Sequence, residues 1–574
     1  MKCQLVNTNI KTNYGENLLK ERGIEDIELF LNPTEECRQK GGLDYLQDGA
    51  ALLNKVIKNN DSSILIVVDS DVDGFTSAAI MYQYIKKLNP NICLHYCLHS
   101  GKQHGLEDHI DWLEQAPHHY DLVICPDSSS NDKIYHDRLG TAGTQVLVLD
   151  HHIMEEAKSD HAVIINNQIS DKYKNKDLTG AGVVYQFCKY FDEFYGYDCA
   201  EEFIDLAALG IIGDMGSMLS LENRYFVYNG LQNINNFFFK ALIDKQSYSM
   251  GGKVTPISVA FYIVPLINAM IRVGSQEEKE RLFDAFIDGE RLIPSNKRGA
   301  KGTFEKNAIE SARECTNAKA KQNRIKDAAV DRLIMKIHKH DLLNNRVLLV
   351  RLDDDDDFPA ELNGLVAMTL AANFKKPTIV ARLNEQGYVR GSARGLNESK
   401  LEDFRQFLID SSMFEYAQGH ANAFGCSILN DDLSQFHTYA NEALKDIDFG
   451  ENVYNVNFER YANDSDVQDL IMDIAKYENI WGTGNDEPLI YVKGINITKD
   501  DIQVIGSSKD TVKFLVNGVV YIQFHAKQLI EDLNKYPEMS LEVVGRANIN
   551  KWGGYTTPQI FIKNYEIKRS DLAF

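Results

Sequence analysis

Positive charge, long apolar runs and paired cysteines are all scarce in this chain of 574 residues. The 61 Lys and Arg residues stand against 83 Asp and Glu, and a net charge of −22 argues against broad, non-specific binding of polyanions. No apolar run approaches the roughly 20 residues that cross a bilayer, and the first residues lack the apolar core of a signal peptide. The nine cysteines form no CxxC pair, so we expect no disulfide framework. These absences predict a cytoplasmic protein without a membrane segment.

The length exceeds what one hydrophobic core usually supports, so several domains are expected. Short β-branched runs alternate with helix-like stretches at 64–68, 92–97, 122–125, 145–149 and 162–165. Buried strands in this alternation are typical of a parallel sheet covered by helices on both faces. After residue 485 five short apolar runs follow, two of them joined by Asn517-Gly518, a strong hairpin turn. They predict a small β-barrel of the OB type.

The fold class predicted is therefore α/β, with a parallel-sheet domain joined by a long helix to a second α/β domain, and a C-terminal barrel. The predicted segments are a helical segment packed on the first α/β domain (1–60), that domain (61–296), a connector helix (297–338), the second α/β domain (339–450), linker helices (451–485) and the OB-type barrel (486–574).

Acidic residues follow the predicted strands directly. Asp69, Asp71 and Asp73 come after the run 64–68, Asp127 after 122–125, and Asp150-His151-His152 after 145–149, while a further apolar stretch around 207–212 leads to Asp214. In open parallel α/β sheets, sites form at the carboxyl ends of the strands. Four separated segments converging there predict one polynuclear metal centre.

The spacing Asp69-x-Asp71-x-Asp73-Gly74 also begins a calcium-binding EF-hand loop, but that loop needs Glu at its twelfth position, where Ile80 stands. A helix cap with two turn formers explains one carboxylate rather than three. Oxygen-rich ligation without cysteine favours Mn²⁺ or Mg²⁺, and a set this large predicts two ions about 3.5–4 Å apart. One imidazole would bind metal, and Asp150 would orient it. The other imidazole would face the phosphate group of a substrate, as a donor or proton carrier.

In chain order these residues resemble the four motifs of the DHH phosphoesterase superfamily. Further motifs narrow the similarity to the RecJ family of single-strand-specific 5′→3′ DNA exonucleases. They lie at 178–183 (LTGAGV), 222–224 (ENR), 265–272 (PLINAMIR), 390–394 (RGSAR), 419–421 (GHA), 482–488 (GTGNDEP), 544–548 (VGRAN) and 552–554 (WGG). The similarity extends over nearly the whole chain.

The resemblance implies a role for each matching residue. The implied metal ligands are Asp69, Asp71, Asp73, Asp127, His151 and Asp214, and the implied catalytic residues are Asp150, His151 and His152. The implied phosphate or DNA contacts are Asn268, Arg272, Ser392, Arg394 and His420, and in the OB domain Arg546, Lys551 and Trp552. Purely structural roles stay open as alternatives to DNA contacts: an interdomain salt bridge for Arg394, a buried structural amide for Asn268, and core positions for the barrel aromatics Tyr521, Phe524, Trp552 and Tyr555.

Three positions depart from the family pattern. His99 stands where the family has Arg, Leu266 replaces the first Arg of its PRLNAAGR motif, and Ser128-Ser129-Ser130 follow Asp127 where the family has Asn-Gly. The changes at His99 and Leu266 concern the binding of the 5′ end of the substrate, and the serines concern the turn after Asp127. The carboxylates and His151 are all present.

The function implied by the resemblance is hydrolysis of single-stranded DNA from its 5′ end to 5′-mononucleotides by two-metal-ion catalysis, in DNA repair or recombination. A monomer, acting with a helicase or a single-strand-binding protein, is expected. One alternative is an oligoribonuclease or cyclic-dinucleotide phosphodiesterase of the same superfamily, which the terminal barrel disfavours. A second is a non-catalytic replication scaffold of DHH ancestry, which the complete ligand set disfavours.

Overall fold

The computed structural model describes residues 1–6, 10–101, 104–116, 118–155, 157–300, 302–353, 355–397, 399–450, 452–506, 508–536, 538–552 and 554–568, with only the backbone of Leu533 and Trp552. Within these residues the α-helices are α1 (Tyr14–Glu21), α2 (Ile27–Leu31), α3 (Leu46–Ile57), α4 (Val72–Leu88), α5 (Ile110–Gln115), α6 (Lys133–Thr141), α7 (Gly180–Tyr195), α8 (Ile204–Gly213), α9 (Leu221–Gln232), α10 (Phe237–Gln246), α11 (Pro256–Tyr262), α12 (Val264–Val273), α13 (Gln276–Ile287), α14 (Asn307–Lys339), α15 (Asn363–Phe374), α16 (Phe404–Asp410), α17 (Leu433–Ala443), α18 (Val467–Ile474) and α19 (Lys527–Lys535).

The strands are β1 (Lys2–Leu5), β2 (Ser63–Val68), β3 (Cys93–Leu98), β4 (Leu122–Pro126), β5 (Gln145–Asp150), β6 (Ala162–Asn166), β7 (Leu292–Pro294), β8 (Phe304–Lys306), β9 (Leu348–Leu352), β10 (Thr378–Leu383), β11 (Tyr388–Arg394), β12 (Phe414–His420), β13 (Ala423–Leu429), β14 (Val453–Val456), β15 (Phe458–Tyr461), β16 (Leu489–Thr498), β17 (Ile502–Ile505), β18 (Thr511–Val516), β19 (Val519–Gln523), β20 (Glu538–Trp552) and β21 (Tyr555–Lys568).

The chain divides into two compact units. The parallel-sheet unit comprises Glu28–Arg324 and Asn479–Asp486. The mixed-sheet unit comprises Met1–Ile27, Ile325–Glu478 and the described residues from Glu487 onward. The boundary at Arg324 falls within the 33-residue helix α14.

The parallel-sheet unit is built on a five-stranded sheet of order β3-β2-β4-β5-β6, with every neighbouring pair parallel. All five strands predicted from the sequence are present. Every residue of β2 is buried, as expected of a strand covered on both faces. Because the strands run in one direction, the residues following Val68, Pro126 and Leu149 meet at one edge of the sheet.

One apolar segment of this unit is long enough by composition to cross a membrane. Pro256–Val273 has 18 residues and a mean hydropathy of 1.6, and 61% of it is buried within the protein. The segment divides into α11 and α12 at Ile263, which is itself fully buried. Its burial is typical of core helices.

The described residues of the mixed-sheet unit form two large sheets and the two-stranded sheet β1-β14. The first has the order β12-β13-β11-β10-β9, in which β9 and β10 are parallel and the other pairs antiparallel. Its core includes Phe404, Phe424 and Phe436. The second sheet has the order β15-β16-β20-β21-β19-β18-β17 and is consistent with an OB domain. The predicted Asn517-Gly518 turn joins β18 and β19, and both residues have positive φ, as a type I′ hairpin requires.

Four segments differ from the sequence-based expectation. The predicted linker helices (451–485) begin with strands β14 and β15, because β14 pairs with β1 and β15 with β16. Lys2–Leu5 is a strand that pairs in parallel with β14, and residues 1–27 belong to the mixed-sheet unit instead of forming only a helical cover of the first domain. The long helix begins at Asn307, because β7 and β8 form a hairpin before it. Strands β20 and β21 extend over 15 and 14 residues, well beyond the apolar runs that predicted them.

Candidate metal centre

The turn between β2 and α4 presents three carboxylates. Asp71 is the N-cap of α4, and its side chain accepts the backbone N–H of Gly74 at 3.0 Å. Asp73 lies in the first turn of the same helix, and Asp69 directly follows the strand. A Cβ at Gly74 would approach the side chain and backbone of Asp69 within 2.5–2.8 Å, so the close approach requires glycine here.

Asp73 is held by the N-terminus of α7. Its carboxylate accepts the hydroxyl of Thr179 at 3.0 Å and the backbone N–H groups of Gly180 at 2.6 Å and Ala181 at 3.0 Å. A Cβ at Gly180 would collide with Asp127, and one at Gly210 would collide with Asp73. Sequence reasoning gave these residues no role, although the small residues of the 178–183 motif were the available signal.

Asp127 follows β4 with a left-handed backbone, φ 64°, a conformation that Asp and Asn tolerate better than most residues. Its backbone N–H donates to the carbonyl of Leu149 at 2.8 Å, which ties the turn to β5. The side chain is 2% exposed, and its Oδ1 has no hydrogen-bond partner. A buried carboxylate oxygen without a donor is costly unless a cation or a proton satisfies it.

His151 lies at the centre of the cluster. Its Nε2 is 3.2 Å from Asp127 Oδ1, 3.5 Å from Asp214 Oδ2 and 3.9 Å from Asp73 Oδ2. Burial, followed by the charge of His152, lowers the pKa of His151 to about 4. The ring is therefore neutral at physiological pH and has a lone pair available for a metal.

Asp150 is occupied by hydrogen bonds. It accepts the backbone N–H groups of Ser130, His151 and His152 and faces the Nδ1 of His152 at 2.8 Å. Burial alone lowers the pKa of His152, but the charge and hydrogen bond of Asp150 outweigh it and raise that pKa to about 10. Within Asp150-His151-His152, Asp150 thus orients the His152 ring, His151 offers a lone pair to a metal, and His152 is a half-exposed cation.

Asp214 caps the C-terminus of helix α8, in a region where the sequence predicts mainly helices, so this ligand does not follow a strand of the parallel sheet. The apolar stretch around 207–212 is a fully helical segment of the core. Its uniformly apolar residues cannot distinguish a buried helix from a buried strand.

The convergent side chains form three overlapping groups with potential ligand atoms within 4.8 Å of one another: Asp69, Asp71 and Asp127; Asp73, His151 and Asp214; and Asp127, His151 and His152. Carboxylate oxygens predominate, and no thiolate takes part in these groups. Such a donor set fits Mn²⁺ or Mg²⁺, and the buried Oδ1 atoms of Asp69 and Asp127, which accept no hydrogen bond, fit a cation.

Comparison with known proteins assigns the family. The DHH family, N-terminal domain, matches residues 63–211, and the RecJ OB domain matches residues 462–564. A relative from Bacillus subtilis (strain 168), named as an SPbeta prophage-derived single-strand DNA-specific exonuclease, YorK, is 38% identical over 566 residues, covering 96% of each chain. The chain belongs to the RecJ-like branch of the DHH family.

More distant relatives agree with this RecJ-like assignment. The single-stranded-DNA-specific exonuclease RecJ of the same Bacillus strain is 23% identical over 97% of this chain and 68% of its own. The crystal structure of RecJ from Thermus thermophilus in complex with Mn²⁺ superimposes with a TM-score of 0.73 at 20% identity, covering 99% of this chain and 80% of that one. This likeness confirms the fold class predicted from the sequence.

This RecJ-like chain has a histidine group beside Asp69 that sequence reasoning did not connect to the centre. His104 Nδ1 lies 2.7 Å from Asp69 Oδ2, and His99 Nε2 lies 4.0 Å from Asp69 Oδ1. Burial, followed by the charge of His109, lowers the pKa of His99 to about 3. His99 is therefore neutral, and Leu266 is buried, so neither supplies the positive charge of the Arg that the family has at its position.

The other residues of the RecJ-like pattern lie on both units. In the parallel-sheet unit, Asn268 and Arg272 are partly buried on α12. Burial lowers the pKa of Arg272, and the charge of Asp71 offsets only part of that shift. In the mixed-sheet unit, Ser392 and Arg394 lie on β11, and both Arg394 and the exposed His420 are opposite Ala423 across neighbouring strands. Arg394 and His420 thus share one end of that sheet.

The predicted DNA contacts of the OB domain are less uniform. Arg546 forms an ion pair with Glu487 at 3.4 Å, whereas Lys551 is exposed. The side chain of Trp552 lies outside the described residues. Tyr521 is fully buried against Phe514, as a core residue.

The carboxylate cluster predicts an unusual pH dependence of stability. Burial, with the charge of neighbouring carboxylates, raises the pKa of Asp73 to about 7 and that of Asp214 to about 8. Unfolded Asp titrates near 3.9, so the stability contributed by these two protonated carboxyls is complete below about pH 4, declines as pH rises above it, and is lost once pH has passed about 7 and 8. We expect the Tm of the metal-free protein to fall from about pH 5 to about pH 8, and the rise in Tm on adding Mn²⁺ to grow over the same range.

Asp214→Asn serves as the control for this measurement, because the amide cannot ionise. Its metal-free Tm should fall less over the same pH range, and Mn²⁺ should raise it less than it raises the wild-type Tm. A wild-type Tm that is constant or rising from about pH 5 to about pH 8 without metal contradicts the account.

Proposed function

We propose that this protein is a Mn²⁺- or Mg²⁺-dependent exonuclease that hydrolyses single-stranded DNA from the 5′ end and releases 5′-mononucleotides. The observation that carries the proposal is the convergence of Asp73, Asp127 and Asp214 around the Nε2 of His151 within 3.9 Å. The names of the relatives supply the substrate class.

The residues suited to hold two divalent cations are Asp69, Asp71, Asp73, Asp127, His151 and Asp214. When bound, such ions supply Lewis acidity, which lowers the pKa of a water and offsets negative charge on the phosphate. The chain contributes the arrangement of the ligands: α7 fixes Asp73, the left-handed turn fixes Asp127, and burial keeps His151 neutral.

His152 has a separate role in the proposal. With a pKa raised to about 10, it is a cation at neutral pH, and Asp150 fixes its ring. A half-exposed imidazolium beside the carboxylate cluster can donate a hydrogen bond to a phosphate oxygen and stabilise its developing charge. Asp150 acts through His152 and is a positioning residue.

We assign contacts to the phosphates at the 5′ end of the strand to Asn268 and Arg272 in the parallel-sheet unit and, separately, to Ser392, Arg394 and His420 in the mixed-sheet unit. Because His99 is neutral and Leu266 is apolar, Arg272 and Arg394 supply the positive charge among these contacts. We expect Arg272→Ala or Arg394→Ala to reduce the preference for 5′-phosphorylated over 5′-hydroxyl strands by about 10–100-fold, the value of one hydrogen bond to a charged group.

Initial rates on the two kinds of strand measure that preference. Arg390→Ala is a matched control, since Arg390 lies on the same strand as Arg394 and pairs with Glu415. The assignment fails if Arg390→Ala changes the preference as much as Arg394→Ala does.

The OB domain offers stacking positions for bases. Phe524 is 56% and Tyr555 81% exposed, whereas Tyr521 is in the core. Exposed aromatic rings on an OB sheet stack single-stranded bases regardless of sequence. We propose Phe524 and Tyr555, with Lys551, as contacts to the incoming strand, and expect Phe524→Ala to weaken strand binding by about 1–3 kcal/mol in a fluorescence-anisotropy titration.

Substrate length separates this function from that of a dinucleotide phosphodiesterase of the same superfamily. Rates on long single strands should exceed those on di- and trinucleotides at equal concentrations of ends, and blunt duplex should be resistant. Faster cleavage of dinucleotides than of long strands would replace the proposal by the alternative.

We further propose that the protein acts as a monomer in the cytoplasm, in DNA repair or recombination. Requirement for a single strand suggests that a helicase or a single-strand-binding protein supplies the substrate. Adding a helicase with ATP to a blunt duplex should permit digestion, and light scattering should give the mass of one chain, 65.0 kDa. Digestion of blunt duplex without helicase, or the mass of a dimer, would contradict these statements.

A further inference from the structure

A cysteine and two histidines converge at the amino-terminal ends of the strands, opposite the carboxylate cluster. Cys93 begins β3, and His95 follows it on the same face of that edge strand. His118 precedes β4. The Sγ of Cys93 lies 3.8 Å from the Nε2 of His95 and 3.8 Å from the Nε2 of His118.

The two sulfur–nitrogen distances suit a tetrahedral cation. Zn–S bonds of about 2.3 Å and Zn–N bonds of about 2.0–2.1 Å at a tetrahedral angle place sulfur and nitrogen about 3.6 Å apart. The ring centroids of His95 and His118 are 5.8 Å apart, so the two imidazoles must rotate toward each other to share one ion. Both histidine side chains are exposed and Cys93 is partly buried, so small rotations of the rings are open to them.

A buried tyrosine fixes the orientation of one ring. Tyr120, 7% exposed, has its hydroxyl 3.0 Å from the Nδ1 of His95. When Nδ1–H donates to that oxygen, the lone pair of Nε2 faces the thiol. Metal-binding histidines in proteins typically have such an oxygen partner at the other ring nitrogen.

We propose that Cys93, His95 and His118 bind one thiophilic divalent cation of the Zn²⁺ class, in a site separate from the carboxylate centre. Binding replaces the Cys93 thiol proton, which is released to solvent, and a water completes the coordination. Thiolate and imidazole select Zn²⁺ against Mn²⁺ and Mg²⁺, which prefer oxygen.

The role that follows from the position is structural. The cation would fasten the segment before β4 to β3, which lies at the edge of the parallel sheet and whose outer backbone groups would otherwise be open to pairing with another chain. The two centres lie about 20 Å apart, the length of six strand residues at roughly 3.3 Å each, so the carboxylate ligands are not shared.

Cobalt titration of the metal-free, full-length protein tests the site, because a thiolate bound to Co²⁺ gives a near-ultraviolet charge-transfer band that carboxylates and imidazoles cannot produce. Wild type should show the band, and excess Zn²⁺ should abolish it. Cys93→Ser should lack the band. Tyr120→Phe should retain it but bind Co²⁺ about 10–100-fold more weakly, the usual effect of removing the partner of a ligating histidine.

Two matched variants serve as controls: Cys199→Ser removes a partly exposed thiol of the same unit, and His119→Ala removes the exposed imidazole next to His118. Both should retain the band and its affinity. Where Cys93→Ser fails to fold, His118→Ala, in the segment before β4, should reduce Co²⁺ affinity at least about tenfold. The absence of the band in wild type, its persistence in Cys93→Ser, or its loss in Cys199→Ser overturns the proposal.

Discussion

Asp127→Asn is expected to lower the rate of DNA hydrolysis by about 10³-fold or more while leaving the metal-free protein at least as stable as wild type. The lost rate follows because the amide removes a charged ligand from the position where phosphate charge must be offset. The retained stability follows because burial, with the charge of Asp73, holds the pKa of Asp127 well above its usual range. A neutral side chain relieves that unfavourable charge.

Asparagine is the appropriate replacement because the backbone at Asp127 has φ 64°, which Asn adopts more readily than Ala. Single-turnover rates with Mn²⁺ and urea unfolding of the metal-free protein at pH 8 measure the two effects. Near-wild-type cleavage by Asp127→Asn, or a clear loss of metal-free stability, would contradict the assignment.

Asp205→Asn is the matched control with the opposite expectation. Asp205 is equally buried and burial raises its pKa to about 6, but it lies outside the ligand cluster, and its oxygens accept the backbone N–H groups of Leu206, Asn235 and Asn236, the last two on the same oxygen. Turning this acceptor into an amide should cost about 1–3 kcal/mol of stability and leave the rate of hydrolysis of the folded protein unchanged.

Asp150→Asn should lower the rate of hydrolysis about 10–100-fold at pH 8 and less at pH 6. Asp150 raises the pKa of His152 to about 10, so wild type keeps the imidazolium at both pH values. Without that carboxylate, the pKa of His152 returns toward about 6.5, and the ring is neutral at pH 8 but partly protonated at pH 6. Ratios of variant to wild-type rate at the two pH values provide the measurement.

His152→Gln separates this effect from general damage to the turn. Its deficit should be similar at pH 6 and pH 8, and adding Asp150→Asn to it should reduce the rate much less than Asp150→Asn does alone. An equal deficit of Asp150→Asn at both pH values would show that Asp150 does not act through the charge of His152.

The strands of the parallel sheet could be predicted because short β-branched runs bounded by polar turns admit few other structures. The same pattern does not predict the full length of β20. Asn548, Asn550 and Lys551 interrupt its apolar residues, although their cross-strand pairs with β21 continue the ladder. The N-terminal strand β1 was missed because its partner, β14, is more than 440 residues away in the chain. Local periodicity contains no information about such pairing.

At the centre, the acidic residues after β2, β4 and β5 were accessible from the sequence because parallel strands end at one edge. The support of Asp73 by Thr179, Gly180 and Ala181 was not, since a helix N-terminus that binds a distant carboxylate leaves only small residues as a trace. The contact between His104 and Asp69 was equally hidden, because it arises in a loop after β3.

Digestion of one long single strand labelled at either end tests the central claim most directly. With Mn²⁺, the 5′ label should appear at once as a mononucleotide, while the 3′ label stays on strands that shorten gradually, and chelation of the metal or Asp127→Asn should stop both processes. Release of the 3′ label first, internal cuts, or digestion that persists after chelation would contradict the claim that this carboxylate centre is a metal-dependent 5′→3′ exonuclease.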